Sequence, residues 1–232
     1  MDNREKVLSM GVILQVLLFV VVVPFLPLLI SWDWSWWQAW VFGLLSVFGF
    51  AVSRVLAGRR HPDLLAERAK FLRHADAKSW DKILSPLVGL GGGLIPLAAG
   101  LDARFGSSSG LGLGAEIVSL VLILAGYVFA SWALIENRFF SGMVRIQKER
   151  GHQVVSTGPY RWVRHPGYAG ALLTYLFAPI LLASQWAYIP VAFLSVVLVI
   201  RTSLEDRTLR QELPGYADYA QRTRYRLLPG IW

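Results

Sequence analysis

The chain has 232 residues, of which 55% are hydrophobic and 16% charged, with a formal net charge of +8 and no cysteine. That apolar content excludes an ordinary soluble domain, and the missing Cys excludes a disulfide framework, a thiolate zinc site, an iron–sulfur cluster and a Cys nucleophile. The positive charge does not point to nucleic acid, because it sits in short stretches between apolar blocks, where membrane proteins place the Lys and Arg that set orientation.

In chain order, the first apolar block runs from about Val7 to Ile30. It is too long for a signal-peptide core and has no small-residue cleavage site behind it, which predicts a retained helix. A second block spans about Trp36 to Ala57, a third about Ile83 to Leu101, and a fourth about Ala115 to Ile135. The fifth and sixth, about Tyr168–Ala183 and Trp186–Ile200, are separated only by Ser184-Gln185 and read as a tight helical hairpin. Both are short against the roughly 20 residues needed to span a bilayer, so tilt or local thinning is expected. The expected fold is an all-α integral membrane protein of about six transmembrane helices.

With the N-terminus inside, the inner segments hold Arg4, Lys6, and the Lys and Arg of 54–82, 138–164 and 201–226, whereas the outer loops hold only Arg104. This asymmetry predicts six crossings of a cell (inner) membrane with both termini cytoplasmic. Trp32, Trp34, Trp36 and Trp37 mark one outer interface and Trp186 another, as indole rings prefer. The Gly89-Leu90-Gly91-Gly92-Gly93 patch lacks the Lys-Ser/Thr of a phosphate loop, and close packing between membrane helices explains it better.

Three polar stretches remain for chemistry. In Gly58–Lys82, His61-Pro62-Asp63 reads as a turn opening a short amphipathic helix, its plainer role being to face lipid headgroups with basic residues. Asn137–Gly167 is broken by Gly151, Gly158, Pro159, Pro166 and Gly167, so it is not one helix. Its core, Gln147–Tyr168, gathers two His, two Tyr, a Trp and several Arg beside the membrane, a set able to hold a nucleoside and equally at home at any inner interface. Arg201–Trp232 continues the sixth helix up to about Leu213, where Pro214-Gly215 follow. Arg201 and Glu205 share a helical face that Thr208 and Glu212 extend. Glu205-Asp206 read either as a surface pair with Arg201 or as acids awaiting a cationic ligand, with the Arg awaiting an anionic one.

The run Gly158-Pro159-Tyr160-Arg161-Trp162-Val163-Arg164-His165-Pro166-Gly167-Tyr168-Ala169-Gly170, with Glu205-Asp206 and then Leu213-Pro214-Gly215-Tyr216 and Tyr219, closely resembles the signature of isoprenylcysteine carboxyl methyltransferases and their bacterial relatives. The wider group includes the membrane phospholipid methyltransferases. The resemblance is strong over Gln147 to Gly230 and weaker over the first four helices. It implies S-adenosylmethionine as cofactor. Gln147, His152, Gln153, Val154 and Val155 match positions lining that cofactor's pocket, Tyr160, His165, Pro166, Gly167 and Tyr168 match further contacts, and Glu205 matches the acid on the cofactor. Arg201 matches the Arg that orients a substrate carboxylate. Asp206 stands where Glu is usual, and the longer N-terminal half with its 61–82 loop departs from the prenylcysteine enzymes.

The implied organisation is residues 1–136, four transmembrane helices with the cytoplasmic loop 58–82, and residues 137–232, a methyltransferase core. Methyl transfer from a sulfonium is an in-line displacement, and a carboxylate acceptor is already ionised at neutral pH, so no general base is needed. An amine or thiol acceptor would have to lose a proton, with His165 or Glu205 as base. The expected partners are membrane lipids and a lipophilic small-molecule or lipid substrate. Competing readings are a phospholipid amine or small-thiol methyltransferase, an NADPH-dependent membrane reductase, and a non-enzymatic scaffold. Tyr168-Ala169-Gly170-Ala171 lacks the acid that the resembling sterol reductases carry near this position.

Overall fold

The structure is a computed structural model that describes Leu14 and residues 17–70, 74–106 and 108–232. Apart from Leu14, the start of the first apolar block, with Arg4 and Lys6 before it, lies outside the described residues. From Leu17 the chain runs as a wide helical turn (Leu17–Val22), a 3-10 turn (Val23–Phe25) and a short helix α1 (Leu26–Ser31). Pro24 and Pro27 account for the breaks. Neither has a backbone N–H to donate, and each sits in the first turn of a new helical stretch. Beyond α1, Trp32 packs edge-on against Trp34, which contacts Trp40, and all three are exposed as an interface cluster should be.

The remaining helices are α2 (Trp37–Arg60), α3 (Pro62–Ala69), α4 (Asp81–Phe105), α5 (Leu113–Glu136), α6 (Pro166–Leu181), α7 (Tyr188–Glu212) and α8 (Tyr216–Arg222). Four of them, α2, α4, α5 and α7, are long and apolar enough to cross a membrane, and α6 is a shorter apolar helix. Among the described residues there is no strand. This is an all-helical, multi-pass membrane architecture.

One segment is longer than its apolar run. The sixth block ends at Ile200, but α7 continues to Glu212 and reaches 25 residues. The helix can carry Arg201 and Asp206 because both are buried against partners of opposite charge. The turn between α6 and α7 is held from α4. The Asp102 carboxylate accepts from the Ser184 hydroxyl (2.7 Å) and the Trp186 N–H (3.1 Å).

Small residues set the helix spacing. A Cβ at Gly126 of α5 would lie 2.6 Å from the Gly170 carbonyl oxygen of α6, and one at Gly170 would lie 2.5 Å from the Gly126 oxygen. The two backbones therefore touch at this crossing. In α4, Gly91 faces Leu194 and Gly92 faces Tyr175, as the Gly-rich patch predicts, whereas Gly89 faces open space. The main core runs from Leu28 and Phe42 through Ile95 and Ile123 to Leu181, Leu194 and Leu198. It fixes the α4–α7 wall against which the loop 137–165 folds.

Candidate active site

Proline and glycine shape the loop. Short 3-10 turns form at Lys148–Arg150 and Gly158–Arg161. Gly151 (φ 63°) and Gly158 (φ 56°) occupy left-handed backbone, which a side chain would strain. Pro166 starts α6 in its first turn, leaving His165 as the last residue of the loop. The loop, the start of α6, the polar half of α7 and α8 enclose a cleft of about 790 Å³ counted to its open mouth.

Gln147, His152, Gln153, Val154, Val155, Tyr160, His165, Gly167, Tyr168, Glu205 and Arg201 all line this cleft. Pro166 alone of the sequence-predicted set does not; it opens the helix behind. The cleft also takes Asn137, Phe139, Phe140, Leu209, Tyr216 and Tyr219. Of these, only Tyr216 and Tyr219 had a sequence signal, in the tail motif.

The two adjacent acids of α7 do different work. Glu205 faces the cleft, partly exposed, and accepts a hydrogen bond from the Tyr168 hydroxyl (2.7 Å). The His165 ring stacks parallel on Tyr168, with its Nδ1 4.0 Å from the same carboxylate. Asp206 is fully buried. It accepts from Arg164 (2.6 and 3.2 Å), Arg210 (3.0 Å), Arg226 (3.1 Å) and the Tyr216 hydroxyl (3.1 Å). Arg164 in turn donates to the carbonyls of Thr223 and Arg224, and the His165 N–H donates to the Arg226 carbonyl. Asp206 thus ties the Arg164-His165 corner to the C-terminal tail. Its identity matters to the scaffold, because a longer acid would have to fit a space already filled.

Arg201 is not paired with Glu205. Its guanidinium is bidentate on Asp81 (2.7 and 3.0 Å), donates to the Gly142 carbonyl (3.0 Å) and lies 5.2 Å from the Tyr168 ring centroid. The surface-pair reading of Arg201 is therefore replaced by a buried pair. The fork that the resemblance assigns to a substrate carboxylate meets a carboxylate of the chain itself.

Helix α3 also departs from the lipid-facing role. Asp63 pairs with Arg150 (2.7 Å) and Arg138 (2.9 Å) of the loop. Burial opposes ionisation there, but hydrogen bonds from Arg150 and then Arg138 hold the Asp63 carboxyl below its usual range. Arg145 bridges Glu67 (2.9 Å), Asp76 (2.7 Å) and Glu149 (2.5 Å). The acids of the 58–82 segment thus clamp the loop. Inside the loop, Gln147 is buried, donates to the Phe139 carbonyl (2.8 Å) and accepts from Arg150. The His152 ring lies 4.6 Å from that of Phe139, and burial, with the charges of Arg150 and Arg145, pushes its pKa down to about 4. It is neutral at pH 7. Burial also raises the Tyr160, Tyr216 and Tyr219 hydroxyls, which stay protonated.

The donor set has a definite character. A carboxylate without a guanidinium partner among the described residues sits among aromatic faces, a neutral imidazole and amides. That composition suits a cationic ligand with a flat ring.

Residues 118–211 match the model of the isoprenylcysteine carboxyl methyltransferase (ICMT) family. A probable protein-S-isoprenylcysteine O-methyltransferase of Oryza sativa subsp. indica is 31% identical over 113 residues, which is 45% of this chain and 56% of that protein. The uncharacterized protein YpbQ of Bacillus subtilis is 31% identical over 109 residues, 45% of this chain and 59% of that one. The chain thus spans little more than half the length of these curated relatives. A solved structure of the eukaryotic intramembrane Ras methyltransferase ICMT aligns with 99% of this chain and 89% of its own, at 16% identity and a TM-score of 0.51. At that identity the likeness is one of fold, and it extends over the N-terminal helices, where the sequence signature is weak.

Proposed function

We propose, from the match of residues 118–211 to the ICMT family, that this chain is an integral membrane methyltransferase using S-adenosylmethionine to methylate a lipophilic acceptor, in first place the carboxylate of an isoprenylcysteine-like molecule. The observation that carries this is the cleft in which Gln147, His152–Val155, Tyr160, His165 and Tyr168 converge on Glu205. Bound there, S-adenosylmethionine would supply an electrophilic methyl carbon on a sulfonium. Glu205, held by the Tyr168 hydroxyl, offers a negative charge to such a cation. The rings of Phe139, Tyr160 and Tyr168 offer faces to adenine and sulfonium. A carboxylate acceptor needs no base, so the side chains have only to position both partners and exclude water.

In this reading residues 1–136 are the membrane scaffold and 137–232 the reaction core. The cleft and both termini lie on the cytoplasmic side of the cell membrane, where the Lys and Arg concentrate. Calorimetric titration of the purified protein with S-adenosylhomocysteine and with NADPH tests the cofactor. Saturable binding of the first is expected, and binding of NADPH instead would overturn the reading in favour of a reductase. Labelled methyl transfer to an isoprenylcysteine carboxylate, a phospholipid amine or a small thiol then identifies the acceptor.

A further inference from the structure

The segment after α8 is folded into a compact hook. The backbone N–H groups of Arg226 and Leu227 donate to the Trp232 oxygen (2.8 and 3.0 Å), and the Arg226 guanidinium lies over the Trp232 ring (4.9 Å). Two contacts fix the hook in depth. The His165 N–H donates to the Arg226 carbonyl (2.9 Å), and the Arg226 side chain donates to Asp206 (3.1 Å). His165 directly precedes the apolar helix α6, which starts at Pro166. Asp206 lies six residues past Ile200, the last residue of the sixth apolar block, which is about 9 Å along α7. The hook therefore sits at headgroup level, beside the end of the hydrocarbon layer.

Its outer surface has the composition that this level favours. Leu228 and Ile231 are apolar yet 51% and 79% exposed. Trp162, two residues before Arg164, is 54% exposed; it stacks on Phe129 (6.2 Å) and meets Trp132 edge-on (5.4 Å), both near the end of α5. Aromatic rings at the end of a membrane helix mark the interface. The Tyr219 hydroxyl donates to the Tyr160 carbonyl (2.7 Å), which joins the turn carrying Arg161 to the helix that ends in Arg222. Arg161, Arg222 and Arg224 are exposed and enter no salt bridge among the described residues, whereas Arg210 and Arg226 are paired with Asp206.

We propose that this surface docks on the adjoining leaflet, with Trp162, Leu228 and Ile231 at the acyl boundary and Arg161, Arg222 and Arg224 on the headgroups of anionic phospholipid. The depth set by His165 and Asp206 places lipid, rather than bulk water, beside the exposed apolar side chains. Guanidiniums beside apolar side chains are the pattern of an interfacial anchor, and each one near the surface adds attraction to an anionic leaflet. The docking is independent of the reaction assigned to the cleft.

The chain has no cysteine, so Ile231→Cys takes a single bimane label. The labelled full chain is reconstituted in bilayers of phosphatidylcholine and phosphatidylglycerol, with acyl-chain bromine carried by one lipid or by the other. Val121→Cys, exposed on α5, marks the hydrocarbon layer, and Gln211→Cys, about 16 Å past Ile200, marks water. Quenching at 231 should lie several-fold above that at 211. Brominated phosphatidylglycerol should quench at 231 at least about twofold more than brominated phosphatidylcholine at equal mole fraction. Adding Arg161→Gln/Arg222→Gln/Arg224→Gln should remove that preference and leave the quenching itself. Leu228→Cys repeats the measurement from a second position. Quenching at 231 and 228 no greater than at 211 would overturn the docking, and equal quenching by the two lipids would overturn the anionic partner.

Discussion

Arg201 and Asp81 form a bidentate, buried ion pair across 120 residues of sequence. Asp81 also accepts the Val144 N–H (2.6 Å), and Arg201 also donates to the Gly142 carbonyl. The pair therefore pins the loop at 142–144 to both α4 and α7, forming one wall of the cleft. Removing one partner strands a buried charge, so Asp81→Asn and Arg201→Gln should each lose about 3–5 kcal/mol of stability. The double variant should be little worse than the worse single, because the two share one interaction. Unfolding in detergent measures all three. Additive losses would show that the pair is not coupled as drawn.

Glu205 and Tyr168 form the second test. Glu205→Gln should weaken S-adenosylhomocysteine binding by roughly 1.5–3 kcal/mol, the worth of a hydrogen bond to a charged group. Tyr168→Phe removes only the hydroxyl that holds Glu205, so its loss should be smaller, about 1 kcal/mol. Calorimetry decides. Unchanged affinity in both variants would take Glu205 out of the cofactor site.

Much of the cleft was legible because its residues are bunched in the chain. Gln147 to Tyr168 is one stretch with proline and glycine punctuation, and a folded loop brings such residues together whatever surrounds them. The apolar blocks were legible for the same reason, since hydropathy is local. What escaped was long-range pairing. In the sequence Asp81 falls at the end of the polar stretch 58–82, and nothing in its spacing names Arg201 as its partner. The clamp from Asp63 to Arg150 spans 87 residues and leaves no periodic trace. The division of labour between Glu205 and Asp206 was equally hidden. Neighbours on a helix point about 100° apart, so one meets the cleft and the other the tail.

The α5–α6 crossing depends on the absence of two side chains. Gly126→Ala would place a methyl group against the Thr174 hydroxyl and against the Gly170 carbonyl and the Thr174 backbone nitrogen, the last two of which cannot move without shifting a helix. Overpacking of this kind should lower stability by about 1–3 kcal/mol. Gly89→Ala meets open space and should be neutral or stabilising, since Gly is a poor helix residue. Comparable melting of the two variants would mean that the backbones are not in contact.

His152 should contribute to the response to acid. Burial, then the charges of Arg150 and Arg145, takes its pKa from 6.5 to about 4. Between those values the unfolded chain binds a proton that the folded chain refuses, so stability falls as pH drops through that window and is fully retained above it. Asp63 and Glu149 are also held low, the first by its Arg partners against burial and the second chiefly by the Arg145 hydrogen bond. Their contribution is lost only as pH falls below ordinary carboxylate values of about 4. The comparison of wild type with a non-titrating variant is therefore made between about pH 6.5 and 4.5. His152→Gln keeps an acceptor for the Gln147 N–H, which donates to Nδ1 (3.3 Å) in the native protein, but cannot titrate. Denaturant unfolding at stepped pH should show a decline across this interval in the wild type and a flatter profile in His152→Gln. Parallel profiles would assign the acid sensitivity to another group.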